Sequence, residues 1–356
     1  MTSLILLGAG KIGETIAHLL HRTGDYALTV ADQDAARLRP IAALGVKTVH
    51  AQFDDAEALV GLIRGNAMVV SALPFYLTPA VAAAAVKAGA HYFDLTEDVE
   101  STRRVKALAA SARSVLMPQC GLAPGFISVL AHATTRKFQT LRDVHMRVGA
   151  LPVYPTNALK YNLTWSTDGL INEYCNPCEA IIDGSRRETL ALEEMEAFSL
   201  DGVAYEAFNT SGGLGTLCDT LEGRVENLNY KTVRYPGHRD LVKMLIRDLR
   251  LGQRREILKD VLEASVPMTR QDVVLVFVTV SGMQEGRLTQ ESFAKKVYSK
   301  EIDERLYSAI QITTAAGVCA MVDLVREGVL PDRGFVRQED ADLERFLANR
   351  FGAHYA

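Results

Sequence analysis

Gly8, Gly10 and Gly13 form the spacing G-x-G-x-x-G within "SLILLGAGKIGETIAHLL". The apolar run before them reads as a strand buried on both faces. After them Ile12, Ile16, Leu19 and Leu20 share one face of a helix running from Lys11 to about Arg22. The next strand, "YALTVAD", ends on Asp32. In such a unit the first glycine makes the turn and the second lets backbone approach a pyrophosphate. The third lets the helix close on the strand. A diphosphate would meet the helix N-terminus at Gly10, Lys11 and Ile12, and Asp32 could accept from both hydroxyls of a ribose. A carboxylate there repels a 2′-phosphate, Gln33 and Asp34 add no positive charge, and Arg37 reads as a solvated helix residue. The expected cofactor is therefore NAD rather than NADP.

The later strand ends supply the rest of that rim, because ligands of open parallel sheets lie at the carboxyl ends of the strands. Phe53 and Asp54 stand where an adenine would be bordered. Ser71, Ala72, Leu73 and Pro74 end the fourth strand, and "FDLTED" ends the fifth with Asp94, Thr96 and Glu97. Gly121 and Leu122 follow the sixth, in "CGLAPGF". A nicotinamide between the last three stretches has carboxylates beside it. Glu97 is the first candidate to take a proton from an amine, and Asp94 is either a second or a brace for the loop. His238 is a further candidate, since imidazole titrates near neutrality.

The second half of the chain offers groups for a substrate. Arg234 can hold a carboxylate in a bidentate fork. On a strand it shares a face with Tyr230 and Thr232, while Lys231, Val233 and Tyr235 take the other. Ser211, Gly212 and Gly213 either form a backbone anion nest or close a glycine-rich turn. Tyr161 and Trp165 either fill the core or line the path of a substrate side chain. Cys175 and Cys178 form C-x-x-C without a second ligand pair or a redox context, so the pair reads as incidental; no metal site is expected.

These residues must be positioned by an α/β architecture. Strands and helices alternate up to about residue 125, which predicts a Rossmann-type doubly wound parallel sheet over 1–125. From 126 to 307 most segments have β character, including "LRDVHMRVGALP", "ALKYNLTWS" and "DVVLVFVTVSGM". They predict a second α/β (α+β) domain with a mixed or antiparallel sheet. "HRDLVKMLIRDLRLG" and "RREILKDVLEAS" are expected as helices, and helices within 308–356 are expected to complete the first domain.

Composition narrows the partners. The chain has 356 residues, 48% hydrophobic and 23% charged, with a net charge of −4. That balance gives no global attraction to nucleic acid or to an anionic membrane surface. No long uncharged apolar run predicts a membrane span, and no basic leader precedes the first strand. Five scattered cysteines fit reduced thiols in a cytoplasm.

"GAGKIG", "SALPFYLTPAVAAAAVKAGAHYFDLTED", "CGLAPGF", "GALPVYPTNALKYNLTWS", "TSGGLGTL" and "NYKTVRYPGH" together resemble the saccharopine dehydrogenase family, nearly end to end and in order. The resemblance implies a Rossmann domain, a substrate domain often used for homodimers, and a small amino-acid substrate. It implies hydride transfer from a carbon bearing nitrogen, with hydrolysis of the resulting imine. Ala123 stands where saccharopine reductases carry an acid in G-L-D-P-G, and Thr96-Glu97 where they read S-Y. Within the family the chain looks more like an NAD-dependent L-lysine 6-dehydrogenase. The alternatives are an NADP(H) enzyme of the saccharopine reductase or carboxynorspermidine dehydrogenase kind, and, in another class, a non-catalytic NAD-binding sensor or scaffold.

Overall fold

In the computed structural model, which describes residues 1–356, the chain divides into two units. Met1–Phe126 and Gln311–Ala356 form the first, and Ile127–Ile310 the second.

The first unit alternates strands β1 (Thr2–Leu7), β2 (Tyr26–Asp32), β3 (Lys47–His50), β4 (Met68–Ser71), β5 (His91–Asp94) and β6 (Val115–Met117) with five helices. These are α1 (Lys11–His21), α2 (Ala35–Ala42), α3 (Ala56–Ile63), α4 (Thr78–Ala88) and α5 (Val99–Leu108). The sheet is parallel, in the order β6-β5-β4-β1-β2-β3. The strand order reverses beside β1, so the turn after β1 lies at the switch point where such sheets take their ligands. Leu4, Ile5, Leu6 and Leu7 are all buried, as a strand covered on both faces requires. Helix starts are set by side chains: Asp34, Asp55 and Asp98 accept from the first-turn N–H groups of α2, α3 and α5.

The second unit runs through α6 (Phe126–Thr135, whose first residue belongs to the first unit), β7 (Thr140–Pro152), α7 (Thr167–Cys175), β8 (Cys178–Ile182) and β9 (Ser185–Thr189). It continues with β10 (Glu196–Leu200), β11 (Val203–Asn209), α8 (Leu217–Leu221), β12 (Asn227–Arg234), α9 (His238–Lys243) and α10 (Arg255–Ser265). The long pair β13 (Asp272–Gln284) and β14 (Arg287–Tyr298) and the small ladder β15 (Lys300–Ile302) and β16 (Arg305–Tyr307) complete it. Its main sheet has the order β10-β11-β12-β7-β13-β14, with β8 and β9 branching from β12. Only β12 and β7 pair in parallel, so the sheet is mixed. Asp183-Gly184, Asp201-Gly202 and Glu285-Gly286 make three two-residue hairpin turns, each with positive φ at both positions.

Two expectations fail locally. "ALKYNLTWS" is not a strand: Asn157 closes a turn on Tyr161, Lys160 has φ 50°, and only one bridge, Leu163 to Met268, forms. The helix expected over "HRDLVKMLIRDLRLG" ends at Lys243, widens into a π turn over Met244–Asp248 and breaks at Arg250, where φ is 57°.

The chain closes with α11 (Ala309–Arg326), β17 (Gly334–Phe335) and α12 (Leu343–Ala348). Helix α11 is long and apolar enough to cross a membrane, yet 83% of that apolar window is buried inside the fold. From Gln311 on, this segment belongs to the first unit, and β17 extends its sheet beside β6. Tyr355 stacks on Phe126, with ring centroids 3.9 Å apart. Asp323, 1% exposed, is the polar knot: it accepts from Tyr26 Oη at 2.6 Å, from Asn349 and Arg350, and from Arg326. Burial works against its charge, but these donors more than offset it and hold the carboxyl below the usual range. Such a group contributes stability above the unfolded carboxylate value, about 3.9, and loses it as pH falls through the folded value. Asp323→Asn should therefore cost on the order of 2 kcal/mol at neutral pH, read from urea midpoints. The deficit should shrink in strong acid, where the native aspartate is also protonated. An equal midpoint at neutral pH would show that the knot does not hold the C-terminal segment.

Candidate active site

The turn after β1 is set by close backbone approach. Gly8 has φ 103°, and a Cβ there would stand 2.7 Å from the Ala72 carbonyl oxygen. A Cβ on Gly13 would stand 2.0 Å from the Gly8 oxygen. Gly10 instead faces open space, with nothing within 4 Å of a built Cβ. It is the N-cap of α1 and, having no side chain, supplies no side-chain cap. Two glycines are needed for packing, and the third leaves space beside the positively polarised start of the helix. That combination fits a diphosphate.

Asp32 is only 4% exposed. One carboxylate oxygen accepts from Ala9 N at 2.6 Å and the other from Asp34 N at 2.7 Å. The acid expected to meet a ribose is thus also the brace that ties the glycine turn to the end of β2. Phe53, expected beside an adenine, is buried in the core with Leu59, Val60 and Tyr92, because α3 and α4 cover that face; Asp54 is exposed. Ser71 ends β4 with a buried hydroxyl that has no hydrogen-bond partner. Ala72 and Leu73 are half-buried beyond it, and Pro74 is exposed.

Asp94, at the end of β5, is 1% exposed. Its Oδ1 accepts from Thr96 N and Gln119 N, each at 2.9 Å, and its Oδ2 from Tyr92 Oη at 2.7 Å. Its own carbonyl accepts from Cys120 N at 2.8 Å. The pairing of β5 with β6 stops at Phe93 and Met117, and Asp94 bridges the strands where the ladder no longer can. Burial pushes its carboxyl up to about 6, against the pull of these donors. Of its two expected roles, these hydrogen bonds are those of a brace for the loop. The loop it shapes carries Thr96, itself buried, and the half-buried Glu97. The turn it shapes leads into the buried Gly121 and Leu122. Sequence reading missed Tyr92 and Gln119 as partners. Tyr92 was legible, two residues from Asp94 on one strand face; Gln119 was not, since its φ of 65° comes from the tertiary turn.

In the second unit Arg234 is 2% exposed at the end of β12. Nε donates to Tyr174 Oη at 2.9 Å and Nη1 to the Val233 carbonyl at 2.9 Å. Its Cζ lies 4.8 Å from the centroid of the Tyr161 ring, whose buried hydroxyl has no partner. A guanidinium has five donors, so the outer edge of Nη1 and Nη2 keeps donors for a carboxylate. Trp165 is half-buried against the same apolar cluster. Lys231 turns to the opposite sheet face, where its ammonium donates to the Glu194 carbonyl at 2.7 Å.

Two expectations are corrected here. The glycine loop is not an open nest: Ser211 N donates to the Glu173 carbonyl, and Ser211 Oγ donates to that of Pro177. Gly212 closes a turn with Gly215, and a Cβ on Gly213 would stand 2.2 Å from the Tyr230 ring. The loop is glycine-rich because an aromatic ring lies on it. His238 is not placed as a base. It is 1% exposed, and both ring nitrogens are engaged, with Leu159 O at 2.7 Å and Tyr174 Oη at 3.0 Å. Burial, then the Arg234 charge, push its pKa down to about 3. The unfolded chain takes a proton at about pH 6.5 that the folded ring refuses, so this group costs stability as pH drops through that window.

The sequence matches two family models: the saccharopine dehydrogenase NADP binding domain over residues 4–117 and the saccharopine dehydrogenase C-terminal domain over 121–352. Among curated relatives, the saccharopine dehydrogenase [NADP(+), L-glutamate-forming] of Saccharomyces cerevisiae is 24% identical over 264 residues, covering 68% of this chain and 57% of that one. The mitochondrial alpha-aminoadipic semialdehyde synthase of Rattus norvegicus is 22% identical over 51% of this chain and 20% of its own length. The chain thus spans little more than half, or a fifth, of these relatives. The solved apo saccharopine dehydrogenase (L-Glu forming) of Saccharomyces cerevisiae superposes with a TM-score of 0.78 at 18% identity, over 98% of this chain and 97% of that one; at that identity the likeness is one of fold. With both family models matched in order and together spanning nearly the whole sequence, the chain belongs to the saccharopine dehydrogenase family.

Proposed function

We propose that this chain is a pyridine-nucleotide oxidoreductase acting at the C–N bond of a small amino acid. The observation that carries the reading is that one chain holds both a glycine turn with open space at Gly10 and, in its second unit, a buried arginine that keeps donors for a carboxylate. A sensor or scaffold would use the first and has no need of the second. When bound, the nicotinamide supplies a hydride acceptor. Gly10, Lys11 and Ile12 would hold the diphosphate, and Arg234 the substrate carboxylate. Hydride leaves a carbon bearing nitrogen only when that nitrogen has a lone pair to give, so an ammonium must first lose a proton. Glu97 is assigned that proton, on the loop that Asp94 shapes. L-lysine is the first substrate in this reading, because Ala123 and Thr96-Glu97 depart from the residues that saccharopine reductases carry at those positions. Reduction of nucleotide with L-lysine and release of ammonia supports that choice; turnover of saccharopine alone replaces it.

The cofactor reading shifts from NAD toward NADP. The family model is that of an NADP-binding domain, and the yeast relative is named for NADP(+). The argument for NAD was the Asp32 carboxylate, which two backbone N–H groups now partly neutralise at a buried position. Arg37, exposed and 3.5 Å from Asp34, is the cation at hand for a 2′-phosphate. NADPH should bind at least about tenfold tighter than NADH by nicotinamide fluorescence, and Arg37→Ala should remove most of that ratio. Tighter binding of NADH would return the reading to NAD.

Glu97 and Asp94 can be separated by substitution. Glu97→Gln should lower kcat by about 10²-fold while nucleotide binding survives. Asp94→Asn keeps an oxygen for the two N–H groups and an amide toward the Tyr92 hydroxyl, so it should keep kcat within about threefold, and Asp94→Ala should not. Equal loss in Asp94→Asn and Glu97→Gln would make Asp94 the proton acceptor after all.

A further inference from the structure

Arg234 ends a chain of hydrogen bonds whose direction is fixed at every link. The first link is the Leu159 carbonyl, which can only accept. His238 Nδ1 lies 2.7 Å from it, so Nδ1 carries the proton and Nε2 keeps the lone pair. Tyr174 Oη lies 3.0 Å from Nε2 and must donate to it. That leaves the Tyr174 oxygen to accept, which it does from Arg234 Nε at 2.9 Å. No proton in this series can be reversed without leaving two acceptors or two donors face to face.

The surroundings hold the series in place. Glu206 stands opposite Arg234 in the β11–β12 ladder, but its carboxylate does not go to the guanidinium. It accepts from Gly237 N at 2.8 Å and Arg239 N at 2.6 Å and so fixes the start of α9, where His238 is the first residue. The His238 ring is flanked by Tyr161, Tyr174 and Phe208, with centroids 5.3, 5.9 and 6.4 Å away. Tyr161 lies beneath the guanidinium itself. One carboxylate is diverted to a helix end, and the plane of the arginine is set from three sides.

We infer that Tyr174 and His238 are positioning residues, which lock the Arg234 guanidinium so that its Nη1–Nη2 edge meets a substrate carboxylate in one orientation. The inference rests on the carboxylate reading of Arg234 given above. Fixing a fork in advance removes the rotamer entropy that a free arginine loses on binding. Its signature is therefore in substrate affinity rather than in the chemical step.

The experiment is steady-state kinetics of the full-length chain with the amino acid that turns over. Tyr174→Phe, which keeps the ring and removes one oxygen, should raise KM about tenfold with kcat within about threefold and nucleotide affinity unchanged. His238→Gln, which can still offer an oxygen to Tyr174, should stay nearer the parent KM than His238→Ala. Nitrogen-15 NMR of labelled His238 should show a protonated Nδ1 and a bare Nε2 from pH 5 to 8. Arg234→Ala separates the two ideas. If its KM is unchanged, the carboxylate reading of Arg234 falls. If its KM rises but that of Tyr174→Phe does not, the positioning role falls alone. A fall in kcat at constant KM in Tyr174→Phe, or a doubly protonated His238 ring, would also overturn it.

Discussion

The constraint on which the cofactor end of the first unit depends is the contact between Gly13 on α1 and the carbonyl of Gly8. A methyl group at position 13 would sit 2.0 Å from that oxygen, so the helix can start where it does only with a bare backbone there. The start of α1 then lies beside the open space at Gly10, which supplies no side-chain cap. Everything assigned to the cofactor depends on this placement. The Ala72 carbonyl against Gly8 fixes how β4 leaves the sheet, and Asp32 ties the other side of the turn through Ala9. The turn is over-determined from both neighbouring strands, which keeps the open helix end rigid before any ligand arrives.

A second regularity concerns acids. Asp32, Asp94, Asp98 and Asp272 are strand-end or loop carboxylates, and Glu206 lies within β11; all could be read as chemistry. All accept backbone N–H groups: Asp98 from Ser101, and Asp272 from Ala309 and Ile310 at the start of α11. Where parallel strands end, the ladder stops and N–H groups are left without partners; a short acidic side chain satisfies two of them at once. The same burial that makes such an acid look tuned raises its pKa, as for Asp94 and Asp272, each at about 6. A shifted carboxyl in this fold therefore does not by itself mark a proton acceptor; its hydrogen-bond partners decide.

The legible part of the sequence was that in which one residue type had one physical solution. The glycine fingerprint, the buried parallel strands and the mixed second sheet follow from periodicity and from backbone that tolerates no Cβ. Strand β14 was not legible, although Glu285-Gly286 marks its turn, because "RLTQESFAKKVY" is largely polar on an edge and lacks an apolar alternation. The loop over 158–166 misled in the other direction. "YNLTW" has strand composition, but Asn157 bends the chain, and its residues face an apolar cluster rather than a sheet edge. At the site, Arg234 could be chosen from its type alone. Its partners could not, since Tyr174, Leu159 and His238 lie on three separate segments and meet only in the fold.

The histidine that accompanies Arg234 gains its meaning from being neutral. A second cation packed against a buried guanidinium would face both the desolvation penalty and like-charge repulsion. A neutral imidazole avoids both and still offers one donor and one acceptor at a fixed angle, which neither a lysine nor a carboxylate can. A carboxylate in its place would neutralise the arginine and compete with any anionic ligand. Glu206 shows that the fold had such a group within the ladder and directed it to α9 instead. The Arg234 charge is oriented by neutral hydrogen-bond partners and stabilised by aromatic faces, and the buried Glu173 adds a favourable charge nearby.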